Sequence, residues 1–470
     1  MTAGERTPHT GPGLPVGVNI AGYFDSALGV GEAARQVRGA LERAGVATAS
    51  ITLPERRSRG PGQSRPPQEP PFPATLICAN ADAMEGAWDW LGPRFLESRT
   101  IAMWWWEVEV FPERWQRAFD GLDEVWVGSR FVADAIAPTA PVPVLTMPVP
   151  VVAREPSSLT REELGLPEGF LFLFTFDFAS GFERKNPLGV IDAFTRAFPG
   201  GSGASLAIKH IGSEGHEAEA ARLEEAAAGH PDVHLVGGHL PAQDQAALTA
   251  ACDCYVSLHR SEGFGLTLAE AVLARRPVVA TGYSGPMDFL GSSTAFLVDY
   301  ELAPVGPGND PYPVEARWAR PDLDQAGRLM REVCADPEHA AQRAERALAR
   351  LDRSTSPSAA GGAMSRRLAR LQGLPPDRAG SSGSLDLTEL ERRVAADFVN
   401  ASNPLRRLIG RLSERITRPR AVHQRRVDEE LVRAVRSLDE RVQGLANAQA
   451  TLAARLDAER HADEGSSEGR

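Results

Sequence analysis

Lysine is nearly missing from this sequence. Of 51 basic residues only Lys185 and Lys209 are lysines, and the rest are arginines. Where any positive charge would serve, arginine has taken the place, so the two lysines mark positions that need a compact ammonium. Cysteine is scarce too: Cys78, Cys252, Cys254 and Cys334 are too few and too scattered for a secreted disulfide framework. Cys252-Asp253-Cys254 leads into a strand-like run and reads as buried packing rather than as metal ligands. The only histidine before residue 200 is His9. No apolar run reaches the ~20 residues of a membrane span, and the first thirty residues hold no basic segment followed by an apolar core. A cytoplasmic protein is therefore expected. Excess positive charge is lacking as well, since the formal charge of -11 excludes broad phosphate neutralisation and hence general nucleic-acid binding.

A length of 470 residues is too great for one core and suits two domains plus an extension. Short apolar runs alternate with helical periodicity, the pattern of a parallel sheet covered by helices on both faces. The first series of strand candidates is 16–21, 74–78, 100–105, 124–127 and 142–147. Prolines break the pattern at 148–156, and a second series follows at 170–176, 205–210, 233–236, 255–258, 277–281 and 295–298. Two successive doubly wound sheets are implied, and ligands bind such sheets outside the carboxyl ends of the strands. Functional residues are thus expected just after strands. The expected division is a tail at 1–15, domains at 16–150 and 151–374 with the last helices of the second able to pack back on the first, a linker at 375–385 and a helical extension at 386–470. A Pro/Arg/Gly-rich stretch at 54–73 lacks periodicity and reads as a surface loop.

The most specific signal is Ser261-Glu262-Gly263-Phe264-Gly265-Leu266-Thr267-Leu268-Ala269-Glu270, which follows a strand and opens a helix. Gly263 and Gly265 permit close backbone approach, and the helix N-terminus beyond them presents free N–H groups to an anion. Glu262 would lie in the loop at the cleft. Glu270, about two turns into the helix, could accept hydrogen bonds from a ribose diol. In a second segment, Gly181-Phe182-Glu183-Arg184-Lys185-Asn186-Pro187, Pro187 suits a first helical turn and Asn186 its cap. Arg184 and Lys185 are then placed where they could neutralise a diphosphate. Lys209-His210 ends the next strand. Gly29-Val30-Gly31 follows the first strand and enters a helix. Met103-Trp104-Trp105-Trp106-Glu107-Val108-Glu109 offers Glu107 and Glu109 as acidic candidates, with Glu107 closer to the strand end, and an aromatic run that either packs in the core or stacks on a sugar. The one Asp-x-Asp, Asp322-Leu323-Asp324, begins a late helix after Pro321 and reads as a cap.

The Glu262 to Glu270 segment resembles the paired-glutamate motif of glycosyltransferase family 4, and Tyr283-Ser284-Gly285-Pro286 extends the likeness. The resemblance covers roughly residues 16–372. It implies the GT-B fold, in which two Rossmann-like domains face each other across a cleft, and a retaining, metal-independent transfer of a hexose from a UDP- or GDP-sugar to a glycan or lipid-linked acceptor, as in polysaccharide biosynthesis. On that analogy Glu262 holds the donor sugar, Glu270 the ribose, and Arg184 and Lys185 the departing diphosphate. Gly263, Phe264, Gly265, Leu266 and Thr267 line the donor site. Gly29 and Gly31 approach it from the first domain, and Lys209 matches a position where relatives often carry a lysine. No nucleophile, cofactor or metal is expected. The chain departs from many relatives in lacking a first-domain histidine, which leaves Glu107 as the acidic group there. Rival readings are a nucleotide-sugar epimerase of the same fold, a phosphorylase, whose cofactor-lysine motif is not evident, and a non-catalytic sugar-binding scaffold.

In the extension, Leu431, Val435, Leu438, Val442, Leu445, Leu452 and Leu456 keep heptad spacing, so a coiled coil at about 424–459 that joins subunits is one expectation. A helix packed on its own protein is the other. Residues 405–418 place apolar positions among arginines and suit either peripheral contact with the inner face of a membrane or a solvated face.

Overall fold

The computed structural model describes residues 17–25, 29–54 and 69–372. The tail at 1–15, most of the 54–73 loop, the linker at 375–385, the 405–418 stretch and the heptads at 424–459 lie outside the described residues.

The first domain is built on six parallel strands, β1 (Gly17–Gly22), β2 (Ala47–Thr52), β3 (Ala74–Cys78), β4 (Arg99–Trp104), β5 (Glu124–Val127) and β6 (Val144–Thr146), in the order β2-β1-β3-β4-β5-β6. Five of these follow the predicted apolar runs. β2 was not predicted: it is an edge strand whose small and polar residues are mostly half-exposed, with only Ile51 buried, so it carries no apolar run.

The second domain repeats the plan with β7 (Phe170–Asp177), β8 (Ala204–Ile211), β9 (Val233–Val236), β10 (Cys254–Ser257), β11 (Val278–Thr281) and β12 (Phe296–Val298), in the order β12-β11-β10-β7-β8-β9. All six predicted strands are present. β7 is the axis of this sheet. Its Phe172, Phe174 and Phe176 pack on Phe178, Phe182, Phe194 and Phe198, a phenylalanine core that fills one face. Cys252 and Cys254 are free, fully buried thiols, one in each of two apolar clusters. Both domains are therefore Rossmann-like, and together they form the GT-B fold.

Two features link the domains outside the sheets. An antiparallel hairpin, β13 (Tyr300–Pro304) and β14 (Arg317–Pro321), leaves the second domain. Its Val305, Ala316 and Trp318 join the apolar cluster of Trp104, Trp106 and Phe111 in the first. The last described helix, Pro357–Gln372, lies against the first-domain helix Gly29–Arg43. A Cβ on Gly361 would stand 2.1 Å from the Ala40 carbonyl oxygen, so only glycine permits the approach. Arg367 adds a two-pronged ion pair to buried Glu124 at the start of β5.

Candidate active site

The carboxyl ends of both sheets open on one cleft of about 1620 Å³. Its second-domain wall comes from the turns after β7, β8 and β10. β7 and β10 are adjacent in the sheet, which brings together groups 77 residues apart in sequence.

After β7 the chain makes a 3-10 turn at Phe178–Ser180 and a single helical turn at Phe182–Lys185. Asn186 then adopts φ 58, the left-handed region that asparagine tolerates, before Pro187 opens the helix Pro187–Ala197. Asn186 does occupy the position preceding that helix. Its side chain does not cap it, however, and instead donates 2.8 Å to the Leu258 carbonyl after β10. The amide ties the two turns together where a cap was predicted.

Within this frame Glu262 meets both cations. Lys185 Nζ lies 2.5 Å from Oε1, and Arg184 lies 3.1 Å from Oε2. All three side chains are largely buried. Burial pushes the Glu262 carboxyl up, but Lys185 and Arg184 outweigh it and hold it at about 2. Burial also lowers Lys185, offset in part by Glu262, whereas Arg184 is raised, its desolvation opposed by the Glu262 and Glu107 carboxylates. Arg184 has little to spare for a ligand: it donates to the Ser180 carbonyl through Nε and to the Ser261 carbonyl at 2.9 Å, besides Glu262. Lys185 has one bonded proton out of three. The compact ammonium is thus the group better able to take a second anion.

The loop after Glu262 is pinned on both sides. Glu262 N–H donates to Ser284 Oγ, and Gly285 N–H donates to the Glu262 carbonyl. Ser129 of the first domain donates 2.6 Å to the Gly263 carbonyl. A Cβ on Gly285 would stand 2.1 Å from the Gly263 oxygen, which explains the glycine in Tyr283-Ser284-Gly285-Pro286. Gly265 at φ 90 then starts the helix Leu266–Leu273. Phe264 has its ring buried against Phe289 at 5.2 Å, so it offers the cleft its backbone and not its side chain, as aromatic burial in the apolar cluster dictates. Leu266 and Thr267 stand in the first helical turn, beside the cleft. Glu270 lies one turn further in, where burial pushes its carboxyl up to about 7. Nearby Arg154 opposes that shift and Glu32 adds to it.

On the first-domain side Gly29 opens the helix Gly29–Arg43 at the cleft, whereas Gly31 is buried and does not line it. Glu32 in its first turn accepts from Arg35, Gln36 and Arg154. Arg154 was not predicted, because the segment around it has no periodicity. Lys209, two residues before the end of β8, is almost wholly buried, and its ammonium donates to the carbonyls of His210 and Gly238. This lysine ties the end of β8 to the turn after β9.

The tryptophan run divides by strand alternation. Trp104 and Trp106 are buried among Phe111, Phe119 and Trp115, while Trp105 is half-buried and packs against the apolar cluster on the other face, and all three border the cleft. Glu107 accepts 3.0 Å from the Tyr312 hydroxyl, which the β13–β14 hairpin carries across from the second domain. Glu109 is removed from candidacy: Arg317 binds it through two bonds of 2.7 and 3.1 Å. Both partners come from about 200 residues away in the chain, which no local pattern reveals. Asp322 caps the helix Leu323–Ala335 by accepting from Gln325 N–H, and Asp324 pairs with Arg196. His259, also not predicted, is buried behind Glu262, where it bonds to Ser257, and burial lowers it to about 4. No helix among the described residues is long and apolar enough to cross a membrane.

Residues 176–304 match the sequence model of the family described as Glycosyl transferases group 1. No curated protein matches the chain in sequence. Among solved structures, sucrose-phosphate synthase from Thermosynechococcus elongatus is similar over 76% of this chain and 99% of its own, with 16% identity and a TM-score of 0.57. A glycosyltransferase from Rickettsia africae is similar over 77% of this chain and all of its own, with 13% identity and a TM-score of 0.54. HepE of Anabaena, in complex with UDP and glucose, is similar over 76% of this chain and all of its own, with 14% identity and a TM-score of 0.52. The fold is theirs, and the matched span contains Lys185, Arg184, Glu262 and Glu270.

Proposed function

We propose that this protein is a retaining, metal-independent glycosyltransferase that moves a hexosyl group from a UDP- or GDP-sugar to a glycan or lipid-linked acceptor. The observation that carries this reading is the Lys185–Glu262–Arg184 cluster, set at the carboxyl edge of one Rossmann-like sheet and facing the carboxyl edge of another.

In the transfer the bond between sugar C1 and the diphosphate oxygen breaks. A bond from C1 to an acceptor hydroxyl oxygen forms on the same face, and the hydroxyl proton leaves with the diphosphate. The charge that develops is on the diphosphate, and Lys185 stands ready to receive it, while Arg184 fixes the loop and adds its field. A positive site of this kind does the work that a divalent cation does elsewhere. Glu262, kept ionised by the two cations, accepts hydroxyls of the donor sugar. Glu270 accepts the ribose diol. The N–H groups from Gly263 to Thr267 and the helix beginning at Gly29 face the phosphates.

A screen of nucleoside diphosphates by thermal shift, followed by hydrolysis assays of the matching nucleotide sugars, tests the proposal. The right diphosphate at about 100 times its Kd stabilises by about 2.7 kcal/mol. Binding without turnover of any nucleotide sugar would favour a sugar-binding scaffold instead, and conversion of the donor to its epimer would favour an epimerase.

A further inference from the structure

Behind the Glu262 loop the backbone of Ser284 is strained. Asn186 at φ 58 and ψ 49 keeps to the left-handed helical region that asparagine tolerates. Ser284 stands at φ 66 and ψ -152, a region that glycine alone enters readily. A serine in this place is kept for its hydroxyl. Serine before a helical turn ordinarily caps that turn, yet the Ser284 side chain makes no bond to the turn Gly285–Asp288 that it precedes. Its Oγ donates instead to the Tyr283 carbonyl at 2.7 Å. That bond uses the one proton of the hydroxyl and leaves a lone pair to accept the Glu262 N–H at 2.8 Å. Gly285 N–H donates to the Glu262 carbonyl at 2.9 Å, so two consecutive residues grip both polar backbone groups of Glu262. Buried His259 reaches the same Tyr283 carbonyl through Nε2 at 3.4 Å. Strain of this kind persists only where several such bonds over-determine the backbone.

We infer that Ser284 is a positioning residue for the transfer: its hydroxyl, kept in a strained backbone, holds Glu262 in the geometry that the donor sugar requires. The inference rests on the glycosyl-transfer reading above. Lys185 and Arg184 fix the carboxylate end of Glu262, and Ser284 with Gly285 fixes its backbone end. Without the Ser284 oxygen the Glu262 N–H, in a residue almost wholly buried, loses its partner, and the loop must shift to find another. A shift of ~1 Å in a group that orients the reacting sugar can lower the rate by about 100-fold. The nucleoside diphosphate is less affected, because Glu270 and the first turn of the helix Leu266–Leu273 lie beyond the gripped residue.

The test compares Ser284→Gly and Ser284→Ala in the full chain. Both delete the hydroxyl, but only alanine keeps the strained backbone. Three quantities are measured: Tm, the Kd of the nucleoside diphosphate by isothermal titration, and steady-state turnover of the nucleotide sugar that the unaltered protein consumes. The glycine variant is expected to melt about 2 °C or more above the alanine variant. Its kcat is expected to fall at least about tenfold while the diphosphate Kd stays within about threefold of the unaltered value. A merely structural role predicts the opposite for turnover, since glycine removes the strain and leaves a sound fold. The glycine variant also decides the matter if the alanine variant does not fold. A glycine variant with kcat within about twofold of the unaltered protein, a loss confined to diphosphate affinity, or a glycine variant that melts no higher than a folded alanine variant overturns the inference. Absence of nucleotide-sugar turnover in the unaltered protein counts instead against the glycosyl-transfer reading itself.

Discussion

Replacing Glu262 by glutamine keeps the shape of the side chain and deletes the charge between Lys185 and Arg184. Those cations are nearly buried, and without the carboxylate they face each other unpaired. Breaking a buried pair in this way costs about 3–5 kcal/mol. The carboxyl itself gives a consistent figure: held at about 2 instead of its ordinary 4.5, it contributes about 3 kcal/mol at neutral pH. Because its folded value is depressed, that stability is fully present above 4.5 and is lost as the pH falls towards 2. Scanning calorimetry at pH 7.5 on Glu262→Gln is therefore expected to show a Tm lower by about 10 °C. The gap to the unaltered protein narrows between pH 5 and pH 3. A saturating nucleoside diphosphate, whose negative charge faces Lys185, closes part of it. A Tm within about 1 °C of the unaltered protein at pH 7.5, or a gap that stays constant as the pH falls, refutes the electrostatic account of the cluster.

Lys185→Ala is expected to lower kcat by about 100-fold with a smaller rise in donor KM, because its charge acts mostly on the departing diphosphate; steady-state kinetics that show a loss confined to KM contradict this. Glu270→Gln weakens binding of the nucleoside diphosphate itself by about tenfold in isothermal titration, since the ribose contact does not need the sugar. Burial holds the Glu270 carboxyl at about 7, so the ionised acceptor form dominates above that value, and diphosphate affinity of the unaltered protein falls from pH 8 to pH 6. Activity persists after EDTA treatment; loss with rescue by Mg²⁺ or Mn²⁺ rejects the metal-free site.

Much of this molecule is legible in its sequence because the strands of a doubly covered parallel sheet are continuous apolar runs. The six strands of the second domain and five of the first announce themselves in that way. The edge strand β2 and the β13–β14 hairpin do not, since β2 buries only Ile51 and the hairpin is laced with arginine and proline. Local spacing also placed Glu262, Arg184, Lys185 and Glu270 at strand ends and helix starts. It could not show that β7 and β10 lie side by side, which is what joins Lys185 to Glu262. Pairings across long stretches of chain were hidden as well. Arg317 takes Glu109 out of the cleft, Tyr312 reaches Glu107, and Arg154 reaches Glu32, each through a segment with no periodic pattern. For Asn186 the local rule for caps pointed to the right position and the wrong bond, because its Nδ2–H donates to the Leu258 carbonyl just after β10 while no side-chain bond caps the helix.

Proton NMR of the anomeric signals, recorded as the protein turns over the α-linked nucleotide sugar that stabilises it most, tests the central claim directly. Release of nucleoside diphosphate with the α configuration kept in the first-formed product is the result expected of a retaining transferase. A β product, or no turnover of any nucleotide sugar by protein that binds the diphosphate, contradicts it.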